Sequence, residues 1–268
     1  MGDRALDPDC LRYVAHWEPV LAAPAQRTLD LIDPAPGMLL DLGAGTGSLT
    51  LAALQRWPRT QVQALDASGA MLAVARSRTA ETDAARVDWM PADAADIPLD
   101  AAVVDAAVCS FVLQLVADRP TVLEAVLRVL RPGGAFAFVT WLADDLRLPA
   151  DATYHDVLGD IDDGDEDEGF RSPRSGDYVS LDQARDELAD AGYTDIKVVR
   201  DELHYAWTAE SYLAFKTGYD DHERVASLDP ARREELLATL ERRLTALPPQ
   251  DFEVRGPLVA AVARKPAG

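Results

Sequence analysis

Apolar and polar positions along this chain follow two alternating rhythms. Short apolar runs of strand length recur at Met38–Leu42, Gln61–Asp66, Val87–Met90, Val103–Cys109 and Ala135–Trp141. Between them the spacing is helical, from Ser48 to just before Pro58, over Gly69–Ser77 and over Pro120–Leu130. The fourth run is apolar almost throughout, as expected of a strand covered on both faces. Strands alternating with helices predict right-handed crossovers and a parallel sheet. Upstream, residues 8–33 read as helical until Pro34-Ala-Pro36-Gly37 stops them. Downstream, Ser180-Leu-Asp-Gln183 opens a helix that ends at Gly192. A strand over Ile196–Tyr205, a short helix over Thr208–Phe215 and a charged helix from Asp229-Pro230 to about Leu244 follow. A last strand spans Phe252–Ala263. The expected fold is α/β, a Rossmann-like sheet of seven strands, mostly parallel, with helices on both faces. It carries an antiparallel last strand, an N-terminal helix and a cap insertion after the fifth strand.

One turn changes this picture from a fold to a site. Residues 39–47 read Leu-Leu-Asp-Leu-Gly-Ala-Gly-Thr-Gly and lead directly into the helical pattern at Ser48. Strand, glycine turn and helix bring backbone close to a ligand with no Cβ in the way. The spacing is G-x-G-x-G, whereas a dinucleotide fingerprint needs Gly or Ala where this chain has Ser48. Asp41 would set a carboxylate beside a pyrophosphate, so it disfavours that ligand and suits one carrying an ammonium group. Two further strand ends bear acids. Asp66, about 20 residues past the glycines, is placed to accept from a ribose diol. Asp93 with the Ala94 backbone lies one strand further out, where an adenine amino group and a ring nitrogen are the natural partners. Met71 offers a polarizable surface to a purine face.

Composition narrows the partners. The formal net charge is -20, and such a surface repels phosphate backbones, which excludes nucleic acid as the expected partner. Asp far outnumbers Glu, and Lys197, Lys216 and Lys265 are the only lysines. GC-rich codon usage and adaptation to high salt both produce this bias. No apolar stretch approaches membrane-spanning length, the start of the chain lacks a signal-peptide pattern, and Cys10 and Cys109 make no disulfide framework. A cytoplasmic protein is expected, with no membrane span. The acidic run Asp160–Glu168 invites a calcium-loop alignment, which fails: Glu168 stands where Gly is required and Arg174 where the closing Glu belongs. No metal site is expected.

Taken together, these segments resemble class I S-adenosylmethionine-dependent methyltransferases, in particular the broad small-molecule group that includes quinone C-methyltransferases. The resemblance covers Met38–Trp141. It rests on the glycine turn, on Asp66-Ala-Ser-Gly-Ala-Met71-Leu, on Ala92-Asp93-Ala94-Ala-Asp-Ile-Pro98, on Val108-Cys-Ser-Phe-Val-Leu-Gln-Leu-Val-Ala-Asp118, and on Leu130-Arg-Pro-Gly-Gly134. It implies S-adenosyl-L-methionine as cofactor. Gly43, Ala44 and Gly45 would carry the methionine part, Asp41 its ammonium group, Asp66 the ribose, and Asp93 with Ala94 the adenine, with Ala67 and Met71 completing the cofactor contacts. Ser110 would line the sulfonium region. Relatives often have His near position 114, where this chain has Gln, so no base transfers there. The implied organisation is one domain over 1–268: a helical lid (1–36), a cofactor-binding core (37–141), an acidic cap (142–180) and a C-terminal completion of the sheet (181–268).

Methyl transfer needs an in-line approach at about 3 Å in a site that excludes water, and some acceptors need a base. His155 in the cap is the base candidate, ahead of His16, His204 and His222. Tyr13, Trp17, Trp141 and Tyr154 are candidate substrate contacts. The expected acceptor is a small molecule, methylated on C, N or O, and the expected assembly a monomer or homodimer. Three other classes compete: a macromolecule methyltransferase, a nicotinamide oxidoreductase, and a non-catalytic binder of S-adenosylmethionine or S-adenosylhomocysteine.

Overall fold

The computed structural model describes residues 6–161, 171 and 173–268. Seven strands form one sheet in the order β3-β2-β1-β4-β5-β7-β6. They are β1 (Met38–Leu42), β2 (Gln61–Asp66), β3 (Val87–Pro91), β4 (Val104–Ser110), β5 (Leu130–Trp141), β6 (Thr194–Ala206) and β7 (Glu253–Arg264). Strands β1–β5 pair in parallel, while β7 runs antiparallel to both β5 and β6. The predicted mixed sheet is therefore the observed one, and β1–β4 match their expected bounds within a residue. Leu39, Leu40 and Leu42 of β1 and Val108 and Cys109 of β4 are fully buried, as their unbroken apolar runs require.

Helices cover both faces. In chain order they are α1 (Pro8–Arg12), α2 (Glu18–Asp30), α3 (Ser48–Arg56), α4 (Gly69–Arg78), α5 (Glu81–Ala84), α6 (Arg119–Val129), α7 (Pro149–Ile161), α8 (Leu181–Asp190), α9 (Ala209–Phe215), α10 (His222–Ser227) and α11 (Pro230–Thr245). One core lies under α6 and α8 on one face of the sheet, and a second under α2, α3 and α4 on the other. A third core, built by α7, α9, α11 and the end of β5, sits beyond the sheet and supports the cap.

Three expectations need correction. The helix read over residues 8–33 is divided by a π-helical turn, Tyr13–Trp17, and a second π-helical turn, Lys216–Asp220, follows α9. Such turns widen the helix by one residue and are common at functional sites. The break expected at Arg131-Pro-Gly-Gly134 does not interrupt β5, which starts at Leu130 opposite Val104. The register slips between Val104 and Ala106, with Gly133 at φ +76, so the prolyl-glycyl segment is a bulge within the strand. Finally, the cap holds a 13-residue helix where only apolar patches were expected. Tyr154, Val157 and Leu158, at i, i+3 and i+4, are buried on its inner face, a helical spacing hidden by the acids around it. The acidic run tested above for calcium begins at the end of α7, and its residues 162–168 lie outside the described residues. Among the described residues there is no cluster suited to a metal ion, and no helix is long and apolar enough to cross a membrane.

Candidate active site

Strand order reverses between β1 and β4, and parallel sheets open a crevice beyond the carboxyl ends of the strands at such a point. Register sets four chain segments side by side there. Leu42 lies opposite Leu65 and Cys109, and Asp66 lies opposite Pro91. The residues that follow each strand (Gly43, Ala67, Ala92-Asp93 and Phe111) thus share one edge.

The glycine turn is built by close packing as much as by hydrogen bonds. Gly43 and Ala44 donate their N–H groups to the Leu65 carbonyl at 2.7 and 2.8 Å, and Gly45 donates to Asp66 Oδ2 at 2.8 Å. Gly43 has φ +72, and a Cβ there would stand 2.2 Å from Val112 Cγ2. Asp66 also accepts from Ser68 N at 2.7 Å, so both its oxygens are engaged, each with a lone pair to spare. Phe111, just past β4, holds φ +55 while donating its N–H to Val139 O. A bulky residue in the left-handed region is strained, and such strain collects at functional sites.

Asp41 lies at the floor. It is 1% exposed and accepts from Thr50 Oγ1 at 2.6 Å. Burial pushes its carboxyl up to about 7; the Thr50 hydrogen bond opposes this and nearby Asp66 reinforces it. A buried carboxylate without a cation is costly, so the site calls for a positively charged partner. Asp41 borders a chamber of about 60 Å³ with Gly43, Ala44, Gly45, Glu18 and Ser110. Ser110, Phe111, Gly43 and Tyr13 also border a larger cleft of about 460 Å³. Asp66, Met71 and Gln114 line that cleft, and its outer wall is aromatic: Trp17, Trp141, Phe215 and Tyr219.

The N-terminal helices roof this space and are tied down by a clasp. Glu18 of α2 takes both guanidinium ends of Arg78 from α4 at 2.7 Å and also accepts from Thr46 Oγ1, while Arg78 donates to Thr46 O at 2.9 Å. Residues 28 and 60 positions apart meet here, so the sequence carried no signal of it. We expect Arg78→Ala to release the roof at a cost of about 1–2 kcal/mol, the pair being partly exposed. Amide exchange in α2 should then quicken about tenfold, with that of β1 unchanged. The two π-helical turns complete the roof. Trp17 stacks on Phe215 and Tyr219, with centroids 5.8 and 6.4 Å apart, and Tyr13 meets Tyr219 edge-on at 6.3 Å.

The structure brings Asp41, Gly43, Ala44, Gly45, Asp66, Met71, Ser110, Tyr13, Trp17 and Trp141 to the two connected spaces. Asp93 is exposed just past β3, its Oδ1 accepting from Ala95 N, and Ala94 packs into the core; with Ala67 they lie on the same edge but do not border either space. Tyr154 and His155 stand apart. Tyr154 is fully buried in the cap core, with Lys216 Nζ 4.8 Å over its ring, and His155 lies edge-on to it. None of the other histidines borders the cleft either: His16 backs onto Gly218, His204 pairs with Glu253, and His222 engages the Tyr219 carbonyl. Arg171 and Arg174, which sequence reasoning passed over, do line it.

Residues 39–134 match the family model described as a methyltransferase domain. The malonyl-[acyl-carrier protein] O-methyltransferase of Xylella fastidiosa is 38% identical over 118 residues, which are 41% of this chain and 38% of that protein. A ubiquinone/menaquinone biosynthesis C-methyltransferase from Methylobacterium nodulans is 39% identical over 102 residues, 38% of this chain and 40% of its own length. The chain thus spans about two fifths of these relatives. Among solved structures, phosphoethanolamine N-methyltransferase 2 of Haemonchus contortus superposes with a TM-score of 0.58 at 19% identity, over 96% of this chain and 57% of that one. That likeness concerns the fold, whereas the family-model match over residues 39–134 spans the glycine turn, Asp66, Asp93 and the start of β5. Over residues 39–134 the chain is thus similar to methyltransferase domains, and the curated relatives that match it are methyltransferases.

Proposed function

We propose that this chain is an S-adenosylmethionine-dependent methyltransferase acting on a small molecule held in the aromatic cleft. The observation that carries the reading is Asp41: a buried carboxylate without a cation, at the floor of a glycine-lined chamber that opens past Ser110 into the cleft. S-adenosyl-L-methionine supplies an electrophilic methyl group on a sulfonium, together with the ammonium group that Asp41 lacks. Asp41 binds that ammonium, the glycine turn lets the ligand backbone come close, and Asp66 accepts from the ribose through its remaining lone pairs. Asp93 and Ala94, further along the edge, meet the adenine. Ser110 and Phe111 divide the chamber from the cleft and direct the acceptor toward the methyl carbon. The roof of α1, the π-helical turn and α2 acts as a lid that excludes water, as transfer to a weak nucleophile requires.

Because no imidazole borders the cleft among the described residues, an acceptor that must lose a proton has Tyr13, Tyr219, Asp66 or Asp220 as its nearest titratable neighbours. Burial raises both tyrosines, which makes them poor bases at neutral pH. The base role assigned above to His155 would require its side chain to leave the cap core. A carboxylate acceptor, already ionised at neutral pH, needs no proton removal by the protein and fits this cleft better than an alcohol. Cytoplasmic location and a monomeric or homodimeric state accompany this reading.

Calorimetric titration is the direct test. S-adenosylmethionine and S-adenosylhomocysteine are expected to bind in the micromolar range and NADPH not at all; failure of the first two removes the reading. Cell extract incubated with methyl-labelled cofactor should then yield a labelled small molecule, identifiable by mass spectrometry.

A further inference from the structure

We infer that the methyl acceptor is an apolar or aromatic carboxylic acid whose carboxylate is held by Arg171. The inference rests on the methyltransferase reading for the word acceptor, but on its own observations for the chemistry. Arg171 lines the cleft with a side chain only 7% exposed. Its Nη2 donates to both oxygens of Asp177, at 2.7 and 2.8 Å, and its guanidinium carbon stands 4.2 Å over the Trp141 ring. Its Nη1 is buried and has no hydrogen-bond partner.

A buried guanidinium nitrogen without an acceptor is unstable in isolation, and the usual resolution is a ligand oxygen. Position is held firmly for such a role. The Arg171 backbone bridges to Leu146, and Leu146 is wedged against Gly256, where any Cβ would stand 2.3 Å from Leu146 Cδ2. Asp177, itself buried, also accepts from Arg174 N at 2.9 Å, which brings the second arginine to the rim.

The surrounding charges point the same way. Residues 142–180 are strongly acidic, and apart from His155 their only basic side chains are Arg147, Arg171 and Arg174. Two of those three line the cleft. The carboxylates on its walls are already matched: Asp220 pairs with Lys216, and Asp66 accepts from Gly45 and Ser68. The lone pairs left on Asp66 are taken by the ribose in the reading above, whereas Nη1 of Arg171 is left for an anion. In a protein of net charge -20 an anionic ligand needs such a local exception. The flanking Trp141, Phe111 and Phe215 call for an apolar or aromatic body on the same molecule.

The test compares 3-phenylpropanoate with its neutral amide, 3-phenylpropanamide, by calorimetry, each with and without saturating S-adenosylhomocysteine. The acid is expected to bind at least tenfold tighter than the amide. The double variant Arg171→Gln/Asp177→Asn, which removes the buried pair as a pair, should abolish that preference and leave S-adenosylhomocysteine affinity within threefold. Equal binding of acid and amide to the native protein, or an undiminished preference in the variant, overturns the inference. Should the double variant not fold by circular dichroism, Arg171→Lys keeps the charge and loses the planar fork. It is expected to weaken acid binding about tenfold, and unchanged binding would overturn the inference equally. Absence of S-adenosylhomocysteine binding in the native protein would instead defeat the methyltransferase reading, and the arm without it still reads the carboxylate site.

Discussion

Replacing Asp41 by Asn is expected to weaken S-adenosylhomocysteine binding 10- to 100-fold at pH 7.5, the range of a charge-assisted hydrogen bond worth about 1.5–3 kcal/mol. The pH dependence is more telling than the loss. The native carboxyl sits at about 7 because burial disfavours its charged form. Below pH 7 the ligand must displace a proton to form its ion pair, so affinity should fall by up to tenfold per pH unit. The ligand amine, held protonated by its own neighbouring carboxylate, does not limit binding near neutrality. Affinity is thus expected to rise from acid pH and level off above about pH 7, and to be nearly flat over the same range in Asp41→Asn. Stability of the ligand-free protein moves the opposite way. Because the folded carboxyl lies above its ordinary 3.8, its contribution is fully present below about pH 4 and is lost as pH rises to 7. Asp41→Asn removes that penalty. At pH 8 the free variant should be the more stable, by at most about 4 kcal/mol, since each pKa unit is worth about 1.36 kcal/mol. Urea unfolding at pH 5 and pH 8, alongside the titrations, checks both signs; a variant less stable at pH 8 would show that Asp41 is held by partners other than a ligand.

Gly43→Ala should be strongly destabilising. Two costs coincide. Its φ of +72 costs an L residue about 1–2 kcal/mol, and the new Cβ would stand 2.2 Å from Val112 Cγ2 and 2.8 Å from Cγ1, an overlap of the kind that costs about 1–3 kcal/mol to relieve. Val112 is short and β-branched, so it has no free end to swing aside. Gly45 is the internal control: φ is +54, yet nothing lies within 4 Å of a Cβ there. Urea unfolding should put Gly43→Ala about 2–5 kcal/mol below the native protein and Gly45→Ala about 1–2 kcal/mol below. Equal losses would mean that the turn relaxes freely and that contact with the loop after β4 is incidental. Because Val112 also lines the cleft, Gly43→Ala should weaken S-adenosylhomocysteine binding even where it stays folded.

Much of this site was legible before any coordinates. Strand runs, the glycine turn, and the acids at Asp41 and Asp66 depend on local rules: periodicity 2 against 3.6, glycine where φ is positive, an acid at the end of a parallel strand. Those rules act within a few residues, so the chain states them openly. The cap was less legible, because Tyr154, Val157 and Leu158 form a helical stripe among acids that read as a solvated loop. The placement of the candidate base was hidden for the same reason: His155 was assigned from its segment alone, and only packing sets it edge-on to Tyr154, outside the lining of the cleft.

The sequence by itself determined the strands of the mixed sheet and the glycine turn with its flanking acids, since each follows from the order of elements and the conformational freedom of single residues, whereas the strand order and its switch point came from the tertiary structure. Only the tertiary structure decided the rest. The Glu18–Arg78–Thr46 clasp joins residues up to 60 positions apart, and the Arg171–Trp141–Asp177 cluster joins a strand end to a loop some 30 residues later. Nothing in a local pattern distinguishes those arginines from solvated ones. Their roles arise from burial, which turns an ordinary charge into a demand for one particular partner.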